Sequence, residues 1–210
     1  MRFKEYLEKP RTPMTSEVVF EEVKQMLTEL ALDQAIDFAE QMHKGQFRKG
    51  NKKPYVVHPK AVYSILKSFK VKDKVLLVAA WLHDTIEDTT ATYNIIKKKF
   101  NKEVAELVKQ VSSLAKEMLR LGKPEYLLQK MLKMSNKALT LKLADRLHNV
   151  SDIMTMPNPE KMYDQTRYII DGLREKRKLS QIQKKIIKAI EKYLNKVNLQ
   201  LKQRQALIQT

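Results

Sequence analysis

Apolar residues recur along this chain at intervals of three and four, the spacing of one helix face. Thr15 or Ser16 can cap a first helix to about residue 30, and Ala35, Phe38, Ala39 and Met42 stripe a second. That second helix is expected to stop at Gly45. A polar loop follows over residues 46–57, and His58-Pro59 opens the next helix, with Ala61, Val62, Ile65, Leu66 and Phe69 as its buried stripe. The run from Val75 to Leu82 is apolar without a break, and its periodicity alone fits a buried strand or a buried helix. The continuation favours a helix, because His83 and Glu87 stand four apart, as do Asp84 and Asp88.

Further helices are expected at about 93–99 and 103–116. Gly122-Lys123-Pro124 then interrupts, and a lysine-rich amphipathic stretch resumes at Glu125. A helix over 138–154 carries Leu143, Ala144, Leu147, Val150 and Met154 on one face. Lys142, Asp145, Asn149 and Asp152 share another. Past Pro157 and Pro159 the chain reads as helical, with Ile182, Ile186, Ile190, Leu194, Val197 and Leu201 repeating at helical spacing. No strand-turn-strand pattern occurs, so the expected fold is all-α.

With 210 residues the chain can bury a sizeable core as one helical domain or two small ones. No segment reaches the length of a membrane span, and Met1-Arg2-Phe3-Lys4-Glu5 lacks the apolar stretch of a secretory signal. The absence of cysteine excludes disulfides and thiolate metal sites, and fits a cytoplasmic protein. The net charge of +17 fits either a polyanionic partner or a solvated lysine-rich surface. The lysines are spread along helices without interleaved aromatics, which favours the solvated surface, and no specific nucleic acid is expected.

The chemistry lies elsewhere. His58 opens one helix, His83-Asp84 ends an apolar run, and Asp145 faces away from the apolar side of its own helix. Unpaired charge in an apolar setting is strongly disfavoured, so a cation is expected among them. Two imidazoles and two carboxylates suit Mn²⁺, Fe²⁺ or Zn²⁺ better than Ca²⁺. Such an ion activates water and polarises a phosphoryl oxygen, and Glu87 and Asp88 are spaced to orient or deprotonate that water. Singly, each residue has a plain structural explanation; their combination and order carry the inference.

That order, with His43-Lys44-Gly45-Gln46-Phe47-Arg48-Lys49, Pro54-Tyr55-Val56-Val57-His58-Pro59, Leu82-His83-Asp84-Thr85-Ile86-Glu87-Asp88-Thr89 and Leu143-Ala144-Asp145-Arg146-Leu147-His148-Asn149, resembles the HD phosphohydrolases. Within them it resembles the hydrolase domain of the Rel/SpoT enzymes and the stand-alone small alarmone hydrolases. The resemblance covers roughly residues 31–172 and implies a bundle of about ten helices. With Pro10 and Pro13 marking an irregular N-terminal arm (1–14), the chain is expected to divide further into a hydrolase domain (15–175) and a lysine-rich helical extension (176–210) packed on that domain. The resemblance implies a guanosine-3′,5′-bis(diphosphate) 3′-pyrophosphohydrolase that releases pyrophosphate from (p)ppGpp, without a synthetase domain, and pairing with an alarmone synthetase.

By the same resemblance Mn²⁺ is the metal, with His58, His83, Asp84 and Asp145 as ligands and Glu87 and Asp88 as the catalytic pair. Arg48, Lys49 and Asn149 would contact the nucleotide. His43 would either support the metal ligands from behind or serve in packing, and His148 receives no role. The loop from Arg48 to His58 is longer than in many bifunctional enzymes, and Asp152 stands where they often carry threonine. Both departures touch the base pocket and leave (p)ppApp and NADPH open as substrates. Two further alternatives are an HD phosphohydrolase of deoxynucleotides or cyclic nucleotides, and a non-catalytic basic protein that binds nucleic acid.

Overall fold

The apolar run is helical and central. Helices are numbered here in chain order, and this one, α3, spans Lys74–Leu82, with Leu76 through Leu82 all buried. Asp73 starts it by accepting a hydrogen bond from the Leu76 amide at 2.9 Å, the usual service of an aspartate at a helix N-terminus. The computed structural model describes residues 16–208, so the expected arm over 1–14 and the cap at Thr15 lie outside the described residues.

Around α3 pack α1 (Ser16–Met42), α2 (Val57–Ser68) and α6 (Lys102–Val111). Next to it runs α9 (Asn136–Ser151), which also contacts α2, α6 and the long C-terminal helix α11 (Gln181–Ile208). A short α4 (Thr85–Asp88) and α5 (Tyr93–Lys99) link α3 to α6, and α7 (Ala115–Leu121) and α8 (Lys123–Lys133) link α6 to α9. After a 3-10 turn at Ile153–Thr155, α10 (Pro159–Lys176) packs on α8. One hydrophobic core takes side chains from α1 through α11, including Ala35, Val62, Leu82, Leu143, Ile170 and Ile190. A small second cluster joins Ile153 to Val197 and Leu201. The fold is all-α, and among the described residues no helix is long and apolar enough to cross a membrane.

Several boundaries differ from those expected. The two expected N-terminal helices are one, because Ala31-Leu32-Asp33-Gln34 contains neither glycine nor proline to break it. The helix expected over 103–116 stops at Val111, and the Ser112 hydroxyl donates to the Val108 carbonyl at 2.8 Å. Gly122, at φ 78°, separates α7 from α8 in a backbone conformation that favours glycine. The expected 138–154 helix begins earlier, where the Ser135 hydroxyl accepts from the Ala138 amide at 3.2 Å, and ends at Ser151.

The largest departure is functional. The helix does not run on through His83 and Asp84. The His83 ring donates from Nδ1 to the Ala80 carbonyl at 2.8 Å, and the Thr85 hydroxyl donates to the Leu82 carbonyl at 2.7 Å. These carbonyls would otherwise face the amides of Asp84 and Ile86. Side chains thus replace two rungs of the ladder, and α4 restarts as a separate turn.

Candidate active site

Four helical segments and one loop converge on a cavity of about 550 Å³. α2 contributes His58 in its first turn, the α3–α4 junction His83 and Asp84, α4 Glu87 and Asp88, and α9 Asp145 and Asn149. The 46–55 loop contributes Arg48 and Lys49 and is drawn tight by a β-bridge between Phe47 and Pro54. Its hydrogen bonds run from the Arg48 amide to the Lys53 carbonyl at 2.8 Å and from the Tyr55 amide to the Gln46 carbonyl at 2.9 Å. Arg48, Lys49, His58, Asp84, Glu87, Asp88, Asp145 and Asn149 line the cavity, and His83 lies buried behind its wall.

At its floor the donor atoms of His58, His83 and Asp145 all lie within 4.8 Å of one another. His58 Nε2 stands 3.2 Å from Asp145 Oδ1, and Asp84 Oδ2 lies 3.3 Å from His58 Nε2 and 3.1 Å from His83 Nε2. Burial opposes a charge on His58, but its hydrogen bonds to Asp145 and Asp84 raise its pKa to about 9. Burial alone would raise both carboxyls. Instead His83 and His58 hold Asp84, and Lys142 and His58 hold Asp145, well below the usual carboxylate range. The cluster therefore draws positive charge into a dry centre, and its mixed nitrogen and oxygen donors fit a borderline divalent ion.

Each donor is braced. The Asn149 amide donates to Asp145 Oδ1 at 2.6 Å and accepts from Arg48 at 3.0 Å, so one side chain ties the basic loop to the floor. Lys142, buried on α9, stands 3.0 Å from Asp145 Oδ2. The Tyr55 hydroxyl lies 2.7 Å from Asp84 Oδ2 and 2.9 Å from Asp88 Oδ2, one proton facing two carboxylates. Burial and the two aspartates push the Tyr55 phenol well above its ordinary pKa. Gln46 donates to the Asp88 carbonyl at 2.8 Å, and Glu87 Oε2 accepts from the Ser113 amide at 2.7 Å.

Several of these residues carried no sequence signal. His148, given no role, puts Nδ1 at 2.7 Å from His58 Nδ1. Burial and the neighbouring His58 lower its pKa to about 4, which makes it a neutral acceptor. Lys142 shares a helix face with Asp145 in the sequence, yet nothing there marks it as buried. Lys123 and Arg146 join Arg48, Lys49 and Lys142 as cations on the cavity wall. His43 is buried, stacks on Tyr55 with ring centroids 4.6 Å apart, and bonds Gln46 at 2.8 Å.

Residues 35–178 match the family described as HD domain. The bifunctional (p)ppGpp synthase/hydrolase SpoT of Escherichia coli K12 is 41% identical over 136 residues, which cover 62% of this chain and 19% of that protein. The guanosine-3′,5′-bis(diphosphate) 3′-pyrophosphohydrolase MESH1 of Xenopus tropicalis is 36% identical over 122 residues, 57% of this chain and 68% of that one. The chain thus spans about a fifth of the SpoT relative and about two thirds of the small hydrolase. In fold it is similar to a solved metazoan orthologue of SpoT, with a TM-score of 0.66 at 24% identity over 90% of this chain and 98% of the other.

Proposed function

The chain belongs to the HD-domain family and is related to the SpoT hydrolase domain and the metazoan small hydrolases, and from that premise we propose that it hydrolyses the 3′-pyrophosphate of (p)ppGpp. The products would be GDP or GTP and pyrophosphate. The observation that carries this reading is the convergence of His58, His83 and Asp145 at the floor of a cavity whose walls hold five cations. A four- or five-phosphate nucleotide needs both a cation cluster and a site for water activation, and charge-assisted bonds to phosphate are among the stronger ones.

We assign His58, His83, Asp84 and Asp145 as the residues that would hold a divalent ion, Mn²⁺ by the resemblance of the motifs. Such an ion supplies a low-pKa water and polarises the phosphoryl oxygen. Glu87 takes the proton from the attacking water, with Oε2 committed to the Ser113 amide and the carboxylate thereby fixed. Asp88 orients that water and is itself held by Tyr55. Arg48 and Lys49 engage the nucleotide, with Lys123 and Arg146 as further phosphate contacts. Asn149, held at its oxygen by Arg48 and at its amino group by Asp145, keeps one N–H and one lone pair for the base.

The test is product analysis by chromatography after incubation with Mn²⁺ and, separately, ppGpp, ppApp, NADPH, dGTP and a cyclic dinucleotide. GDP and pyrophosphate released from ppGpp, and lost on chelation, is the expected result. Turnover of ppApp or NADPH in place of ppGpp overturns the guanine assignment and keeps the phosphohydrolase. No turnover of any of them, with Mn²⁺ bound, overturns the enzymatic reading.

A further inference from the structure

Residues 112–114 join α6 to α7, and two side chains one turn apart on α8 grip them. Lys130 Nζ donates to the Ser112 carbonyl oxygen, and the Leu114 amide donates to the Tyr126 hydroxyl oxygen at 2.8 Å. Between these anchors the Ser113 amide donates to Glu87 Oε2 at 2.7 Å. The Ser112 carbonyl and the Ser113 N–H belong to one peptide group, which is planar and stiff. An ammonium therefore sits at one end of that dipole and a carboxylate at the other, and each strengthens the other's hydrogen bond. We propose that Lys130 and Tyr126 are positioning residues for Glu87, acting through the 112–114 backbone to hold its carboxylate in the orientation used in turnover.

The proposal rests on the role given to Glu87 above, but its geometry is independent of the substrate. Lys130 does not line the cavity, whereas Lys123, on the same helix, does. That separates it from the phosphate-binding cations. Burial and the nearby Lys142 lower its pKa to about 8 while the Glu87 charge opposes them, so the ammonium senses the carboxylate across the peptide. Tyr126 is buried, and its hydroxyl fixes the other side of the loop.

The test compares Lys130→Met, Lys130→Arg and Tyr126→Phe in the full chain, in wild-type and Glu87→Ala backgrounds. With ppGpp and Mn²⁺, Lys130→Met is to lower kcat on the order of ten-fold, with KM and bound Mn²⁺ unchanged and most of the loss recovered in Lys130→Arg. In the Glu87→Ala background the loss from Lys130→Met is to disappear, since it passes through Glu87. An equal loss in both backgrounds, or a raised KM with kcat intact, overturns the proposal. Tyr126→Phe, which removes one hydroxyl, is to shift kcat in the same direction and serves if Lys130→Met does not fold.

A second readout needs no substrate. Hydrogen exchange at the Ser113 amide, followed by NMR, is to accelerate on the order of ten-fold in Lys130→Met and in Glu87→Ala, with the α3 amides unmoved. Unchanged exchange at Ser113 overturns the proposal even if turnover falls. If the wild-type chain leaves ppGpp intact, the substrate assignment fails, and the exchange result decides this one alone.

Discussion

The Nε2 atoms of His58 and His83 face each other across 3.1 Å. His83 donates from Nδ1 to the Ala80 carbonyl, which turns its Nε2 towards the carboxylates. His58 meets the neutral His148 through Nδ1, so its proton there is engaged as well. Two ring nitrogens with two buried carboxylates around them are stable only with positive charge between, whether a proton or a metal. The second-rank partners Ala80 and His148 thus set the tautomers that point both rings inward.

Removing a ring or a carboxylate from this centre should therefore remove the metal. His58→Ala and Asp84→Ala are expected to bind no Mn²⁺ in equilibrium dialysis and to lose turnover. Glu87→Ala should retain Mn²⁺ at the wild-type ratio and lose most of kcat, as for loss of a general base. Collapse of metal binding in Glu87→Ala would make Glu87 a ligand. Full activity with bound metal in Asp84→Ala would remove Asp84 from the site.

Protons and metal compete for the same atoms, which fixes the sign of the pH dependence. His58 has its pKa raised to about 9 in the metal-free fold, above its ordinary 6.5. Its contribution to stability is fully present below 6.5 and is lost as pH rises through 9. Lys130, lowered to about 8, acts in the opposite sense over the alkaline part of that window. The readout is therefore the difference in Tm between the metal-free wild type and His58→Gln, which should shrink between pH 6.5 and 9. Over the same window Mn²⁺ affinity should rise, with proton release on binding. A pH-independent Mn²⁺ affinity would show that His58 is not a ligand.

Lys142 offers a test of the charge balance. Its ammonium is buried 3.0 Å from Asp145 Oδ2, and Lys142→Met leaves that carboxylate in a dry place with His58 as its remaining partner of positive charge. Breaking a buried pair by removing one partner costs about 3 kcal/mol or more. Urea unfolding of the metal-free variant should show a loss of that order. On the metal assignment proposed above, saturating Mn²⁺ should recover part of it, as a ligand that favours the folded chain does. Identical curves for Lys142→Met and wild type without metal would mean that Asp145 does not depend on Lys142.

The elements that were legible in the sequence are those governed by periodicity. The all-α class, the burial of Leu76 to Leu82 and the core stripe of α11 follow from apolar spacing alone. The gathering of His58, His83 and Asp145 was legible from motif order: His58 opens one helix, His83 follows another and Asp145 lies within a third, and the core packs the three together. What escaped depends on contacts between residues distant in sequence. His148 has no role in the sequence until α2 places His58 beside it. Lys130 reads as one of many surface lysines until its helix docks under Ser112. The break at His83-Asp84 escaped because side chains, not a glycine or proline, interrupt the backbone ladder there.

Gly50 sets the basic loop against the 3-10 turn. A Cβ added there would lie 2.5 Å from Thr155 Oγ1 and 2.8 Å from the Thr155 carbonyl oxygen. The hydroxyl can be removed by substitution, but the carbonyl belongs to the 3-10 turn and cannot. Gly50→Ala should lift the loop away from that turn and weaken the Arg48 bond to Asn149. Metal binding should be unaffected, because none of the floor residues lies on the loop. The expected result is a rise in KM for ppGpp of roughly ten-fold with a smaller change in kcat. Adding Thr155→Ala should restore KM only in part, since the backbone contact persists. A wild-type KM in Gly50→Ala would mean that the loop position seen here does not hold Arg48 and Lys49 for the nucleotide.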